Sequence, residues 1–487
     1  VGDDLSLDAA TARTEPCIIQ GGMGVSVSSW RLAKAVSRLG QMGVVSGTAL
    51  DAVIARRLQL GDPDGDVRRA IAAFPDQELA QRVLSRYFVE GGKDPNAAFV
   101  ASPMYTAGSK RRTHELAVLG GFVEVFLAKE GHDGVVGINF LHKVQMPTPA
   151  TLYGALLAGV DDVLVGAGIP RDIPGLIDTL VAHEPVSMPL AVIGDAAEPV
   201  EVLFDPRAIV GGEPPVLRRP RFLAIIASAT LAISLTKRAT GVDGFVIEGP
   251  TAGGHNAPPR GQMVLQDGQP VYGPRDVVDL AKIREIGLPF WLAGGYATPE
   301  RLRAAMAEGA AGIQVGTVFA FCEESGIDPA LKARVIALAR DGGAHVVTDP
   351  LASPTGFPFK VVQLDGSLSE PDVYGERGRI CDLGYLRETV VREDGQVIYR
   401  CPAEPVEDFV RKGGAIEDTV GRKCICNGLM VTAGLGQVRG GAPEPPIMTA
   451  GDDLAELKRL LPDDRDSYTA ADVVAILLGE SQNPPSG

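Results

Sequence analysis

His255 stands behind Gly253 and Gly254, just past the apolar run 244–247, and an imidazole on such a turn can take or supply a proton near neutral pH. Residues 291–317, WLAGGYATPERLRAAMAEGAAGIQVGT, read as strand, Gly-Gly turn, helix, strand and Gly-Thr turn. Gly294, Gly295, Gly316 and Thr317 are therefore candidates to cradle a phosphate, because N–H groups at turns and helix starts point at an anion. In a (β/α)8 barrel the loops after strands seven and eight form a recurrent phosphate site. The competing readings are glycines that only permit tight turns, and a loop histidine bonded to a carbonyl. Beyond His255, Arg260 is either an anion anchor or a solvated charge.

The elements that must hold these residues alternate along the chain. Strands are expected at 17–20, 44–46, 135–140, 162–165, 222–227, 244–247, 289–293 and 312–315. Helical patterns lie between them, at 30–39 and 230–239 for example, each with a glycine close behind, and Thr298 with Pro299 reads as a helix start. Alternation of this kind predicts a parallel sheet, and right-handed crossovers close it most simply as a (β/α)8 TIM barrel. A doubly wound open sheet is the competing architecture.

The expected organisation is an N-terminal arm at 1–16, a barrel over 17–348 with insertions near 51–134 and 190–220, and a C-terminal extension at 349–487 acting as lid or subunit contact. In the extension, 352–360 is a turn-rich segment placed to return over the site. A last helix is expected to be capped near Thr469.

Composition narrows the function. A net charge of −15 over 487 residues disfavours nucleic acid and anionic membrane surfaces as partners. The longest apolar stretch, 223–235, is interrupted by Ser228, Thr230 and Ser234 and is too short to span a bilayer, so a cytoplasmic location is expected, with a homo-oligomer compatible. Four of the six cysteines, Cys381, Cys401, Cys424 and Cys426, fall in the extension. Four thiolates can bind a structural zinc or an iron-sulfur cluster, while their spacing, unlike a double CxxC, suits buried free thiols equally. Disulfides are disfavoured in a reducing compartment, and Cys17 and Cys322 read as core residues.

IIQGGMG (18–24), VGINF (136–140), FVIEG with TAGGH (245–255), LAGG (292–295) and VGT (315–317) stand in the order and at roughly the spacing of the FMN-dependent nitronate monooxygenase family, formerly 2-nitropropane dioxygenases. The chain resembles that family over about residues 17–325. Trans-acting enoyl reductases of polyketide and fatty acid synthases share the barrel and the Gly-Gly-His loop.

The resemblance implies FMN as cofactor. Gly22, Met23 and Gly24 would pass the flavin ring, Asn139 would bond near the ring or ribityl chain, and Glu248 would take the acidic position after strand six. Gly253, Gly254, Gly294, Gly295, Gly316 and Thr317 would hold the phosphate. His255 would face the flavin and assist substrate deprotonation or binding. Many members carry a lysine after the fifth strand, where this chain has Ala227 beside Ser228, so phosphate charge would rest more on N–H dipoles. The implied activity is oxidation of alkyl nitronates by O2 to a carbonyl compound and nitrite. The alternative is NAD(P)H-dependent reduction of enoyl thioesters, with an acyl carrier protein as partner. A phosphate-ligand sensor without turnover is a third reading.

Overall fold

The computed structural model describes residues 15–238, 241–461 and 465–480, so the expected arm at 1–16 lies almost wholly outside the described residues. Eight short strands build the central sheet: β1 Ile18–Gln20, β2 Gly43–Ser46, β3 Val136–Leu141, β4 Asp162–Gly166, β5 Arg221–Ile226, β6 Gly244–Glu248, β7 Phe290–Ala293 and β8 Gly312–Val315. Each pairs in parallel with the next, with Val44 opposite Gly137, Val163 opposite Phe222 and Leu292 opposite both Ile247 and Ile313. β8 returns to β1 at Ile313 and Ile18. A parallel bridge between Ile19 and Met42 joins β1 to the start of β2, with Met42 N–H donating to Ile18 O at 3.0 Å and Gln20 N–H to Met42 O at 2.9 Å. The ring is therefore closed as a TIM barrel, and the open sheet is excluded.

Closure explains why the strands read as continuous apolar runs. Alternate side chains point to opposite faces, and both faces are covered. Ile19, Val44, Leu164, Leu223, Val246 and Trp291 form one cluster that fills the barrel, while their neighbours Ile18, Val45, Val163, Phe222, Phe245 and Phe290 join the larger core beneath the helices. After β7, Thr298 Oγ1 accepts from Arg301 N–H at 3.3 Å and Pro299 opens the helix Pro299–Ala307.

Two connections depart from the simple repeat. Between β2 and β3 run the helices Leu50–Gln59, Asp66–Ala72, Gln77–Tyr87 and Arg111–Lys129. Between β4 and β5, Val186–Pro189 pairs antiparallel with Glu201–Phe204, and Val192–Ile193 joins Glu388–Val391 of the extension. The extension also supplies Phe359–Val362, which pairs with Val346–Asp349, a strand that straddles the expected boundary at residue 348. Its helix Ala470–Leu478 is capped reciprocally by Thr469 and Asp472 and packs against Trp30–Arg38 and Pro299–Ala307. Among the described residues no helix is long and apolar enough to cross a membrane.

Candidate active site

The C-terminal ends of the barrel strands open into one cavity of about 240 Å³. Gly22 to Gly24 follow β1, Asn139 lies in β3, Glu248 ends β6, and Gly294 and Gly316 follow β7 and β8; all line it, with Gly253, Gly254, His255, Gly295 and Thr317. These twelve positions, spread from residue 22 to residue 317, thus converge because each sits toward the same end of a strand or in the turn after it.

Gly294 and Gly295 adopt φ of +92° and +70°, which only glycine takes without strain. An ideal Cβ on Gly295 would lie 2.9 Å from Arg301 Nη1, so the guanidinium sits against this turn and supplies positive charge that the sequence reading had not assigned. Two of the expected phosphate donors are already engaged by the extension. Gly254 N–H donates to Thr449 Oγ1 at 2.8 Å, and Thr317 Oγ1 accepts from Gly451 N–H at 2.9 Å. Asp453, on the same segment, reaches Thr317, and burial raises its carboxyl above the ordinary carboxylate value.

After β1, beside β8 and Gly316, Met23 N–H is spent on Ser28 Oγ at 2.8 Å. Asn139 Nδ2 donates to Gly22 O at 3.2 Å, while its Oδ1 and the Oε1 of Gln314 are buried with no partner among the described residues. Buried amide oxygens without donors are costly, so both call for a hydrogen-bond donor from a ligand. The imide N–H and ribityl hydroxyls of FMN are donors of that kind, and the glycine turns leave backbone N–H groups for its phosphate; these residues fit the group.

His255 is held from the extension. Its Nε2 lies 2.6 Å from Ser353 Oγ, and its ring meets Phe359 edge-on at 4.8 Å between centroids. Ser353 is fully buried and also accepts from Thr355 N–H at 3.2 Å. Burial first, and the charge of Lys143 second, push the imidazole down to about 3. Lys143, from the loop after β3, completes the charged group: its buried Nζ has no hydrogen-bond partner among the described residues and rests 3.1 Å from the centre of the Phe357 ring. Burial pulls Lys143 down to about 7 against the attraction of Glu248, and burial raises Glu248 to about 7 against that of Lys143. The sequence reading missed Lys143. A lysine two residues past β3, just behind the asparagine motif, was its signal.

Other expectations are corrected. Ser228 does not line the cavity; its hydroxyl accepts from Leu231 N–H at 3.4 Å and so closes the first turn of its own helix. Arg260, expected either as an anion anchor or as a solvated charge, is exposed and donates to Ala227 O at 2.7 Å. Cys381, Cys401, Cys424 and Cys426 do gather around one small apolar cavity in the extension. Among the described residues, however, no group of three or more His, Cys, Asp or Glu is arranged to hold a metal ion, and all six cysteines are free thiols. The structural-metal expectation therefore gains no site.

Residues 219–349 match the family model described as nitronate monooxygenase. The nitronate monooxygenase of Pseudomonas aeruginosa is 30% identical over 137 residues, covering 28% of this chain and 38% of that protein. The (3aS,4S,5R,7aS)-5-hydroxy-7a-methyl-1-oxo-octahydro-1H-indene-4-carboxyl-CoA dehydrogenase of Mycobacterium tuberculosis is 30% identical over 141 residues, covering 29% and 35%. These matches span little more than a third of each curated relative. Among solved structures, nitroalkane oxidase from Streptomyces ansochromogenes is 16% identical with a TM-score of 0.46, covering 96% of each chain. FabK from Thermotoga maritima is 15% identical with a TM-score of 0.45, covering 96% of this chain and 92% of that one. The sequence of the barrel's second half thus relates this chain to the nitronate monooxygenase family.

Proposed function

We propose that the chain is an FMN-dependent oxidoreductase of nitronate monooxygenase type, turning an alkyl nitronate and O2 into a carbonyl compound and nitrite. The observation that carries the reading is His255, neutral at pH 7 and fixed by Ser353 beside a glycine-lined cavity with two unmatched amide oxygens. FMN, when bound, supplies the electron-transfer chemistry. Gly294, Gly295 and Gly316 with Arg301 would hold its phosphate, and Asn139 and Gln314 would accept from its polar edge.

The chain's own residues handle the substrate. An imidazole with a pKa of about 3 is a poor base for a carbon-bound proton, so His255 favours substrates that arrive as nitronate anions over neutral nitroalkanes. Ser353 Oγ meets both His255 Nε2, at 2.6 Å, and Thr355 Oγ1, at 2.8 Å; with the serine hydrogen on the Nε2 side, the imidazole proton stands on Nδ1, where it can be donated to a nitronate oxygen. Lys143 and Glu248, each at about 7, would both be drawn toward their protonated forms by an anion entering beside them.

Enoyl-thioester reduction remains the second reading, because the extension lines the cavity mouth with Phe359, Leu386, Ile425 and Leu429, an apolar wall suited to an acyl chain. One experiment separates the two. Under the proposal, the protein as purified has a flavin spectrum that bleaches with a nitronate, and nitrite appears once air is admitted. Bleaching by NADPH that an enoyl thioester reverses, without nitrite release from nitronates, would replace the proposal with the reductase and bring an acyl carrier protein in as partner.

A further inference from the structure

The four cysteines of the extension come from three separate segments. Cys381 follows the helix Pro371–Glu376, Cys401 follows the strand Val397–Arg400, and Cys424 with Cys426 opens the helix Ile425–Thr432. They meet around one small cavity whose remaining wall is mostly apolar, Ile380, Leu383 and Ala403 included. Cys426, Leu386 and Ile425 belong to this wall and also to that of the main cavity, so the thiol cluster abuts the proposed active site. Convergence of four thiols without a metal-holding arrangement asks which of them react with one another.

The four are not equivalent. Cys424 and Cys426 are held as neutral thiols by burial, and Asn427 Nδ2 donates to Cys424 Sγ at 3.4 Å. Cys381 and Cys401 form the interacting pair. Cys381 is partly exposed and Cys401 is 6% exposed. Contact with Cys401, together with the Arg387 guanidinium, outweighs burial and holds the Cys381 thiol below its ordinary value, whereas Cys381 and burial together push Cys401 well up. One reachable thiol inclined to ionise, backed by a second that keeps its proton, is the layout of an attacking and a resolving cysteine.

We propose that Cys381 and Cys401 form a redox-active dithiol, a modification site that a hydroperoxide converts to an intramolecular disulfide. The Cys381 thiolate attacks one peroxide oxygen; an S–O bond forms, the O–O bond breaks, and the leaving hydroxide takes a proton to become water. The sulfur of Cys401 then displaces the oxygen from the Cys381 sulfenic acid, forming the S–S bond and releasing a second water. In total two thiols lose two electrons and two protons, and one hydrogen peroxide becomes two waters. The disulfide would tether the 381–386 loop, which carries Tyr385 and Leu386 of the main cavity wall, to the loop at 401.

The test uses the full chain, reduced and freed of reductant, then given one equivalent of hydrogen peroxide, alkylated and digested with trypsin. Cleavage after Arg379, Arg387, Arg400, Arg411, Lys423 and Arg439 puts Cys381, Cys401 and the Cys424/Cys426 pair on three different peptides. The expected result is loss of two of the six titratable thiols, a mass lower by two hydrogens, and a cross-link joining 380–387 to 401–411. In Cys401→Ser the sulfenic acid at Cys381 should persist and be trapped by dimedone, while Cys424→Ser should leave the cross-link unchanged. An unchanged thiol count, a cross-link to 424–439, direct passage of Cys381 to sulfinic acid in the wild type, or stoichiometric zinc or iron masking all four thiols would each overturn the proposal.

Discussion

Gly22→Ala tests the cavity wall most directly. A methyl at this position would lie 2.2 Å from Asn139 Cβ, 2.9 Å from its Cγ and 3.1 Å from Val44 Cγ1. Carbon atoms in contact need about 3.5–4.0 Å, so the asparagine side chain must retreat by more than about 1 Å. It has little room to do so. Asn139 is locked in β3 between Ser46 and Leu164, and Val44 is fully buried in the barrel interior. Overpacking of this kind costs about 1–3 kcal/mol, and loss of the 3.2 Å hydrogen bond to Gly22 O adds about 1 kcal/mol. If roughly 2 kcal/mol of that falls on the ligand-binding conformation, FMN should bind about 30-fold more weakly. The assay is quenching of FMN fluorescence by the apoprotein, with Gly175→Ala, in the helix Ile173–Val181 away from the cavity, as the control. A Cβ on Gly175 meets open space, so that variant should bind FMN as the wild type does. Equal affinity for FMN in Gly22→Ala and the wild type would refute the reasoning, since the clash would then have been absorbed away from the cofactor.

Three further outcomes are expected. Ser353→Ala removes the partner 2.6 Å from His255 Nε2 and should lower kcat/KM for a nitronate about tenfold, equivalent to ~1.4 kcal/mol, with flavin content intact; unaltered kinetics would remove Ser353 from the mechanism. The rate profile should show no imidazole step between pH 5 and 9 but a step near 7 belonging jointly to Glu248 and Lys143, displaced to higher pH in Lys143→Met, where Glu248 loses its stabilising cation; a step that stays in place would mean the two groups are uncoupled. Folding stability carries its own signature. The folded pKa of His255, about 3, lies below its ordinary 6.5, so the folded state binds fewer protons in that window, and its contribution is complete above pH 6.5 and lost toward pH 3 at up to ~1.4 kcal/mol per unit. Urea midpoints measured from pH 7 to 4 should therefore fall less steeply in His255→Gln than in the wild type.

All eight barrel strands were legible because each is a short apolar run that stops at or near a polar residue or glycine, and the structure places every one within two residues of the expected span. The Thr298 and Thr469 caps were legible for the same local reason: side chain and backbone partner lie three residues apart. What the sequence hid was tertiary. The segment 352–360 was expected over the site, but not that its Ser353 meets His255 across 98 residues, nor that Thr449 meets Gly254 across 195, since no periodicity links them. Lys143 was hidden by its neighbours' chemistry, since a lysine in a loop reads as solvated until Glu248, His255 and Phe357 are seen to surround it. Ser228 carries the opposite ambiguity: a hydroxyl after a strand suits a ligand or a helix start equally, and here it meets Leu231 N–H, three residues on.

The extension is therefore better regarded as half of the site than as a cover over it, and truncation puts that view at risk. Ending the chain at residue 348 would strip the strand Val346–Asp349 of its partner Phe359–Val362, leaving a bare edge beside the cavity mouth. It would remove Ser353 from His255 and Tyr385 from Asp51, whose carboxyl it reaches at 2.7 Å. It would also hand to water the apolar surface now covered by Phe359, Leu386, Ile425 and Leu429, at a cost of about 25 cal/mol for each Å² uncovered. A fragment spanning 15–348 should accordingly aggregate or melt without cooperativity, and should fail to retain flavin. If instead it unfolds in one sharp transition and keeps FMN, the barrel is self-sufficient, and the contacts at Gly254, Thr317 and His255 are decoration on a site that the first 348 residues already complete.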